Sequence, residues 1–123
     1  MLITLVGNVP AKKNARNLFV RNGRVVNTPN NKYAEWEKDC LYQLKEYRGQ
    51  MDVPVRLTVT IFNKDRRARD LDNQLSSVLD MLVKSSLLED DNCFVVDDIR
   101  LKFGGVDKHN PRAEVEVHEN QPL

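Results

Sequence analysis

The feature that most constrains the fold is a change of hydrophobic period between residues 53 and 86. From Val53 to Asn63 apolar residues alternate with polar ones, which is the pattern of a half-buried β-strand. From Asp72 to Ser86 apolar residues recur at helical spacing, which predicts an amphipathic helix with one face against a core. A strand followed by such a helix indicates a domain in which helices pack on a sheet.

The remaining segments predict more strands and a second helix. Asn22-Gly23 between two β-prone runs is the strongest short-range signal for a hairpin. The elements expected in addition are a strand at Leu2–Val6, hairpin arms at Leu18–Arg21 and Arg24–Asn27, a helix at Pro29–Arg48, a strand at Val95–Phe103, a turn at Gly104-Gly105 and a strand at Ala113–His118. The predicted fold class is α/β (α+β), a small single domain over residues 1–123 with a mixed β-sheet and two main helices.

Length and composition exclude several classes of protein. A chain of 123 residues, 41% of them hydrophobic, fits one packed domain. No apolar run approaches the ~20 residues of a membrane span, and the N-terminal LITLVG lacks the basic leader of a secretory signal. Two cysteines without a CxxC argue against a disulfide framework or a structural zinc site. We therefore expect a cytoplasmic protein with no membrane partner.

Charge is distributed unevenly, although the net charge is only +1. The first 34 residues contain six basic and no acidic side chains, and a second basic cluster runs from Lys64 to Arg69. Acidic side chains then cluster at Asp70 and Asp72, and again from Glu89 to Asp98. Such runs are often only solvated faces. Together they also suit a polyanion, held by the basic segments, and a divalent cation that relieves repulsion between carboxylates.

The segment with the clearest chemistry contains Asp70 and Asp72, followed after the predicted helix by Asp90 and Asp91. In an extended stretch positions i and i+2 point to the same side, so both carboxylates of the first pair would face one spot. Asp91 would approach them if the next strand lies beside the first. Oxygen-only sites favour Mg²⁺ or Mn²⁺, which can activate water against a phosphodiester. The alternative is ordinary helix capping by aspartate.

The string DRRARDLDN, followed by a helix and then by LLEDDN, resembles the RusA family of Holliday junction resolvases. The resemblance covers most of the chain and is specific from about Lys64 to Val96. It implies a homodimer that binds four-way DNA junctions. It also implies Mg²⁺-dependent phosphodiester hydrolysis with two symmetry-related nicks, in which Mn²⁺ would be able to substitute. The alternatives are a junction-binding protein with weak or no catalysis and a nuclease acting on other branched DNA.

The resemblance also assigns roles to residues. The essential aspartates of the family fall on Asp70, Asp72 and Asp91. Its arginine just before the first of these aspartates falls on Arg69, which the resemblance implies is catalytic, and the first member of its acidic pair falls on Asp90. The three essential aspartates and Asp90 would ligate metal. The expected DNA-binding residues are Lys12, Lys13, Arg16, Arg21, Arg24, Arg66, Arg67 and Asn73. Ser76 stands where family members often have a catalytic lysine, for which Lys84 or an N-terminal basic residue would have to substitute.

Overall fold

The structure is a computed structural model that describes residues 1–11, 16–29, 31–47, 51 and 54–119. The elements in chain order are β1 (Leu2–Val6), β2 (Arg16–Arg21), β3 (Arg24–Pro29), α1 (Asn31–Leu44), β4 (Val55–Asn63), α2 (Leu71–Lys84), β5 (Val96–Val106) and β6 (Arg112–Glu119). The predicted order of strands and helices is confirmed. No helix in the described part of the chain is long and apolar enough to span a bilayer.

Four strands form one mixed sheet in the order β1-β6-β4-β5. β4 and β5 are parallel, whereas β6 pairs antiparallel with both β1 and β4. The mixed sheet and two main helices agree with the predicted fold class. β2 and β3 form a separate antiparallel hairpin, whose turn residues Asn22 and Gly23 have φ of 52° and 75°. Two positive φ angles are what a tight two-residue hairpin turn requires, so this prediction is also confirmed.

The core lies on one face of the sheet, under the two helices. In β4 the alternating residues Leu57, Val59 and Ile61 are completely buried. Helix α1 contributes Trp36, Cys40 and Leu44, and α2 contributes Val78, Met81 and Leu82. The alternate residues of the strand and the helix-spaced residues of α1 and α2 therefore pack against each other in one core.

The predicted turn at Gly104-Gly105 is wrong, because both glycines lie inside β5. Ile61 pairs with Phe103 and Phe62 with Gly105, so Gly104 is the extra residue of a β-bulge. A Cβ at Gly104 would lie 2.6 Å from the Phe62 ring. Gly105 has a φ of +121°, which L side chains rarely adopt. The two glycines thus permit a bend and a close ring contact within the strand.

Candidate active site

Asp70 and Asp72 lie where the chain enters α2, and both side chains are exposed. Asp70 is the N-cap residue in extended conformation, yet its carboxylate makes no capping hydrogen bond. Among the described residues, its Oδ2 accepts only a long bond of 3.4 Å from Asn73 Nδ2, while Asp72 Oδ1 accepts one of 2.9 Å from the Asn73 backbone N–H. Ordinary capping therefore does not explain Asp70. The expected extended geometry of the pair is wrong, because Asp72 already lies in the first helical turn.

The start of α2 is anchored by two buried polar side chains that the sequence analysis did not identify. Gln74 Nε2 donates to the Val9 carbonyl at 3.0 Å and to Asn63 Oδ1 at 2.7 Å. Ser77 Oγ donates to the Pro10 carbonyl at 2.7 Å. These bonds tie the helix to the segment after β1 and to the end of β4. They fix the position of the helix start that carries the exposed aspartates.

The basic loop before Asp70 is organised by Asp65. Arg69 Nη1 lies 2.8 Å from Asp65 Oδ1 and also donates to the Arg67 carbonyl at 3.1 Å. The hydrogen bond from Arg69 lowers the pKa of Asp65, and the Arg67 backbone N–H adds to the effect. The Arg69 guanidinium thus braces the loop in this structure, whereas Arg66 and Arg67 are exposed. The sequence signal for this contact is weak, because an i,i+4 spacing favours an ion pair on a helix, and Asp65 and Arg69 lie in a loop.

A second ordered loop presents the other acidic pair. Asp90 Oδ1 accepts from the Asp91 backbone N–H at 2.7 Å, and its Oδ2 accepts from Asn92 Nδ2 at 3.1 Å. Both bonds favour the carboxylate and lower the pKa of Asp90, with the backbone bond as the larger cause. Asn92 Oδ1 accepts in turn from the Phe94 N–H at 2.9 Å. Asp90 therefore shapes the loop, and Asp91 is exposed on it.

The two acidic pairs of one chain lie at opposite ends of the sheet. The Asn92 carbonyl accepts from the backbone N–H of Val96, which pairs with Val55 at the start of β4. Gln74 joins the start of α2 to Asn63 at the other end of β4. Nine residues of strand separate these ends, a distance of about 26 Å.

The expectation that Asp91 approaches Asp70 and Asp72 is therefore wrong for a single chain. The reason is strand direction: β5 does lie beside β4, but it runs parallel to β4, so α2 has to carry the chain back to the first end. Among the described residues no three His, Cys, Asp or Glu side chains are grouped so that they could hold a metal ion. Metal binding by Asp70, Asp72, Asp91 and Asp90 stays a prediction.

The predicted DNA-binding residues fall into three groups. Lys12 and Lys13 lie outside the described residues. Arg21 and Arg24 are paired across the hairpin turn, and Arg16 lies at the far end of the same hairpin. The remaining predicted residues, Arg66, Arg67 and Asn73, lie beside the aspartates at the start of α2.

Lys84 does not take the place of the lysine that Ser76 replaces. Its Nζ lies 2.7 Å from Glu37 Oε1, at the last residue of α2. Twelve helical residues separate Lys84 from Asp72, which places it about 18 Å along the axis. Ser76 Oγ donates to the Asp72 carbonyl at 3.1 Å, which is a bond within one turn of the helix.

Comparisons with known proteins agree with the resemblance to the RusA family that the strings DRRARDLDN and LLEDDN indicate. The family model described as "Endodeoxyribonuclease RusA" matches residues 8–118. A curated relative, "Crossover junction endodeoxyribonuclease RusA" of Aquifex aeolicus (strain VF5), is 28% identical over 89 residues, which are 71% of this chain and 69% of that protein. The family match contains both acidic pairs and the basic loop. The chain therefore belongs to the RusA family of endodeoxyribonucleases.

Proposed function

We propose that the chain is a Mg²⁺-dependent endonuclease that resolves Holliday junctions by paired symmetric nicks and works as a homodimer. Family membership supports a DNA endonuclease that resolves junctions. The observation that carries the chemistry is the Asp70 carboxylate, which occupies an N-cap position without capping, next to the exposed Arg66 and Arg67. A carboxylate left open beside phosphate-binding side chains suits a metal-assisted reaction on DNA.

The side chains at this position fit a hard divalent cation. Asp70 and Asp72 are exposed, and the strong hydrogen bond to Asp72 uses one of its two oxygens. Mg²⁺ is commonly held by one or two carboxylates together with water and substrate phosphates. Bound there, it would lower the pKa of water and stabilise charge on the phosphodiester, and Mn²⁺ would be able to substitute. Asp91 of the same chain lies at the other end of the sheet, so this ligand would have to come from the second copy of the proposed homodimer, and Asp90 would hold its loop in place.

The basic side chains would bind and orient the DNA. Arg66 and Arg67 would hold the backbone phosphates next to the cut, since a guanidinium can donate two parallel bonds to a phosphate. Arg69 would act mainly by holding in place the loop that carries Arg66 and Arg67. The residues proposed to contact the junction arms are Lys12, Lys13, Arg16, Arg21 and Arg24. Two copies related by a two-fold axis would double this surface and match the symmetry of a four-way junction.

The test is cleavage of a synthetic four-way junction with Mg²⁺, compared with a linear duplex and a flap of the same sequence. We expect paired nicks at symmetric positions in the junction, loss of cleavage in EDTA, and recovery with Mn²⁺. Asp72→Asn should abolish cleavage and leave junction binding intact or stronger, because the change removes a charge near phosphate. Faster cutting of flaps or duplex, or no nicks with either metal, would overturn the proposal.

A second candidate is a junction-binding protein with little catalysis. The observation in its favour is Ser76, together with the pairing of Lys84 with Glu37, which leaves α2 without a lysine beside Asp72. Strong junction binding by the wild-type protein with no nicks in either metal would support this candidate instead.

A further inference from the structure

We propose that a cavity between helix α1 and the basic loop before Asp70 holds one unstacked base of the bound DNA, and that Trp36 and Glu35 in its wall select the base. The proposal rests on the proposed function for its substrate class, which is DNA. It assigns a base-selecting site to a part of the molecule that the acidic pairs do not occupy.

The cavity has a volume of about 440 Å³, within the range of about 300–1,000 Å³ that small-molecule sites occupy. Three parts of the chain enclose it, namely residues 6–11, the first turns of α1 and the basic loop. The basic loop contributes the cations Lys64, Arg67 and Arg69. Asn8 Oδ1 accepts a hydrogen bond of 2.8 Å from the Lys64 backbone N–H, so two of the three walls are bonded to each other.

An unpartnered indole N–H in the cavity wall carries the proposal. Trp36 is only 6% exposed, yet its Nε1 has no hydrogen-bond partner among the described residues. Buried donors are rarely left unpaired in native proteins, because the lost bonds to water cost free energy. Gly7 lies against this edge of the ring, since a Cβ there would be 3.4 Å from Trp36 Cδ1 and 3.9 Å from Nε1. Both residues line the cavity, so an acceptor on a bound base would supply the missing partner.

The acidic side chains of the cavity favour a base over a bare phosphate. Glu35 and Asp39 lie four residues apart on α1, and both are exposed and line the cavity beside Trp36. Carboxylates repel a phosphate, but they accept hydrogen bonds from the amino group of a base. The pairing edges of cytosine and adenine place a ring acceptor next to an amino group. Such an edge would match the Trp36 donor and the Glu35 acceptor together, whereas thymine has no amino group to offer.

The rest of the wall suits a nucleotide within a strand. Tyr33 and Trp36 form an aromatic pair with ring centroids 6.0 Å apart and an angle of 53° between the rings. Bases stack on aromatic side chains with little dependence on sequence, and lysine and arginine hold the flanking phosphates. The aromatic pair would therefore supply affinity, and the donor and acceptor beside it would supply the choice of base.

The cavity has a fixed position relative to Asp70. Arg69 in its wall directly precedes Asp70, and Gln74 of α2 donates to the Val9 carbonyl at 3.0 Å, within the segment that forms another wall. A base in the cavity therefore lies at a set spacing from a phosphate held at Asp70. Removing a base from a stack costs least where stacking is already interrupted, as at the branch point of a junction.

The first test uses Trp36 as the reporter, because it is the only tryptophan of the chain. The wild type is titrated in EDTA with octamers of oligo(dA), oligo(dC) and oligo(dT), and with an abasic octamer that keeps only the sugar and phosphates. We expect oligo(dA) or oligo(dC) to change the Trp36 emission saturably and to bind at least fivefold more tightly than the abasic strand. Equal affinity for all four strands, a preference for oligo(dT) or an unchanged emission would overturn the proposal.

The second test measures octamer binding by variants, using the anisotropy of a dye on the DNA. Trp36→Phe removes the N–H and keeps an aromatic ring, and Glu35→Gln removes the charge at an exposed position that the fold does not need. Each should reduce the preference for the favoured octamer over the abasic strand at least threefold. Tyr42→Phe is the control, since Tyr42 lies on α1 outside the cavity. If Trp36→Phe unfolds, Glu35→Gln decides alone, and a preference equal to that of the control would refute the base site.

Both tests are independent of cleavage, because they use single strands without metal. A protein that prefers one base but makes no nicks in a junction would refute only the proposed function. A protein that makes paired nicks in a junction but binds all octamers equally would refute only the base-selecting cavity.

Discussion

Replacing Gln74 by leucine removes the side chain that joins the start of α2 to the end of β4. Gln74 is completely buried, and leucine has a similar volume, so packing changes little. The two hydrogen bonds of its Nε2, to the Val9 carbonyl and to Asn63 Oδ1, are lost. The start of α2 then loses a contact that positions Asp70 and Asp72.

The expected loss of stability follows from the two acceptors that lose their hydrogen bonds from Gln74. Asn63 is buried and its Oδ1 loses the Gln74 bond, which costs roughly 1–3 kcal/mol. The Val9 carbonyl keeps a 3.4 Å bond from Asn8 Nδ2, so its loss is close to that of one net bond, about 1 kcal/mol. Gln74 Oε1 is itself buried without a partner among the described residues, and removing it returns about 1 kcal/mol. The net loss is about 2 kcal/mol.

The assay is urea denaturation of Gln74→Leu and of a control, Ser76→Ala, on the same helix. The Ser76 bond is exposed, so the control should change the free energy of unfolding by less than about 0.5 kcal/mol. Adding Asn63→Leu to Gln74→Leu removes the stranded oxygen and should recover about 1 kcal/mol. The reasoning would be refuted if Gln74→Leu were as stable as the wild type. It would also be refuted if the double variant lost as much free energy of unfolding as the two single substitutions added together.

Other predictions concern separate parts of the molecule. Burial raises the pKa of Cys40 to about 12 while Cys93 is exposed, so a thiol reagent should modify one cysteine in the native protein and two in urea. Arg112 lowers the pKa of Asp107 below 3.8, so this ion pair stabilises the fold above that pH and is lost in acid. The difference in Tm between wild type and Asp107→Asn should therefore shrink as the pH falls below 3.8. Ser76→Lys should raise the junction-cleavage rate at unchanged binding; an equal or lower rate contradicts a role for a cation there.

Most of the fold could be predicted because the buried face of each strand or helix requires apolar residues at a regular spacing in the sequence. The alternation from Val53 to Asn63 located β4 within two residues, and Asn22-Gly23 located the hairpin turn. Strand direction could not be predicted, because parallel and antiparallel neighbours can bury the same alternating residues. The pair Gly104-Gly105 is a typical turn signal, and only the pairing of β4 with β5, in which Phe62 lies opposite Gly105, shows that it forms a bulge.

The candidate site could be predicted only in part, because its full geometry depends on strand direction, which could not be predicted. Asp70 and Asp72 are adjacent in sequence, so local pattern suffices to place them together. The position of Asp91 depends on strand direction, and a single chain cannot bring it to the other pair. Gln74 and Asp65 left only weak signals, a polar residue beside an apolar stripe and an i,i+4 ion pair.

The most direct measurement of the central claim is cleavage of a synthetic four-way junction by the wild type and by Asp70→Asn side by side, with Mg²⁺ present. The wild type should make paired nicks at symmetric positions, and Asp70→Asn should bind the junction without cutting it, because the variant lacks the carboxylate that the helix start leaves uncapped. A wild type that makes no nicks, or an Asp70→Asn variant that cuts at the wild-type rate, would contradict the account.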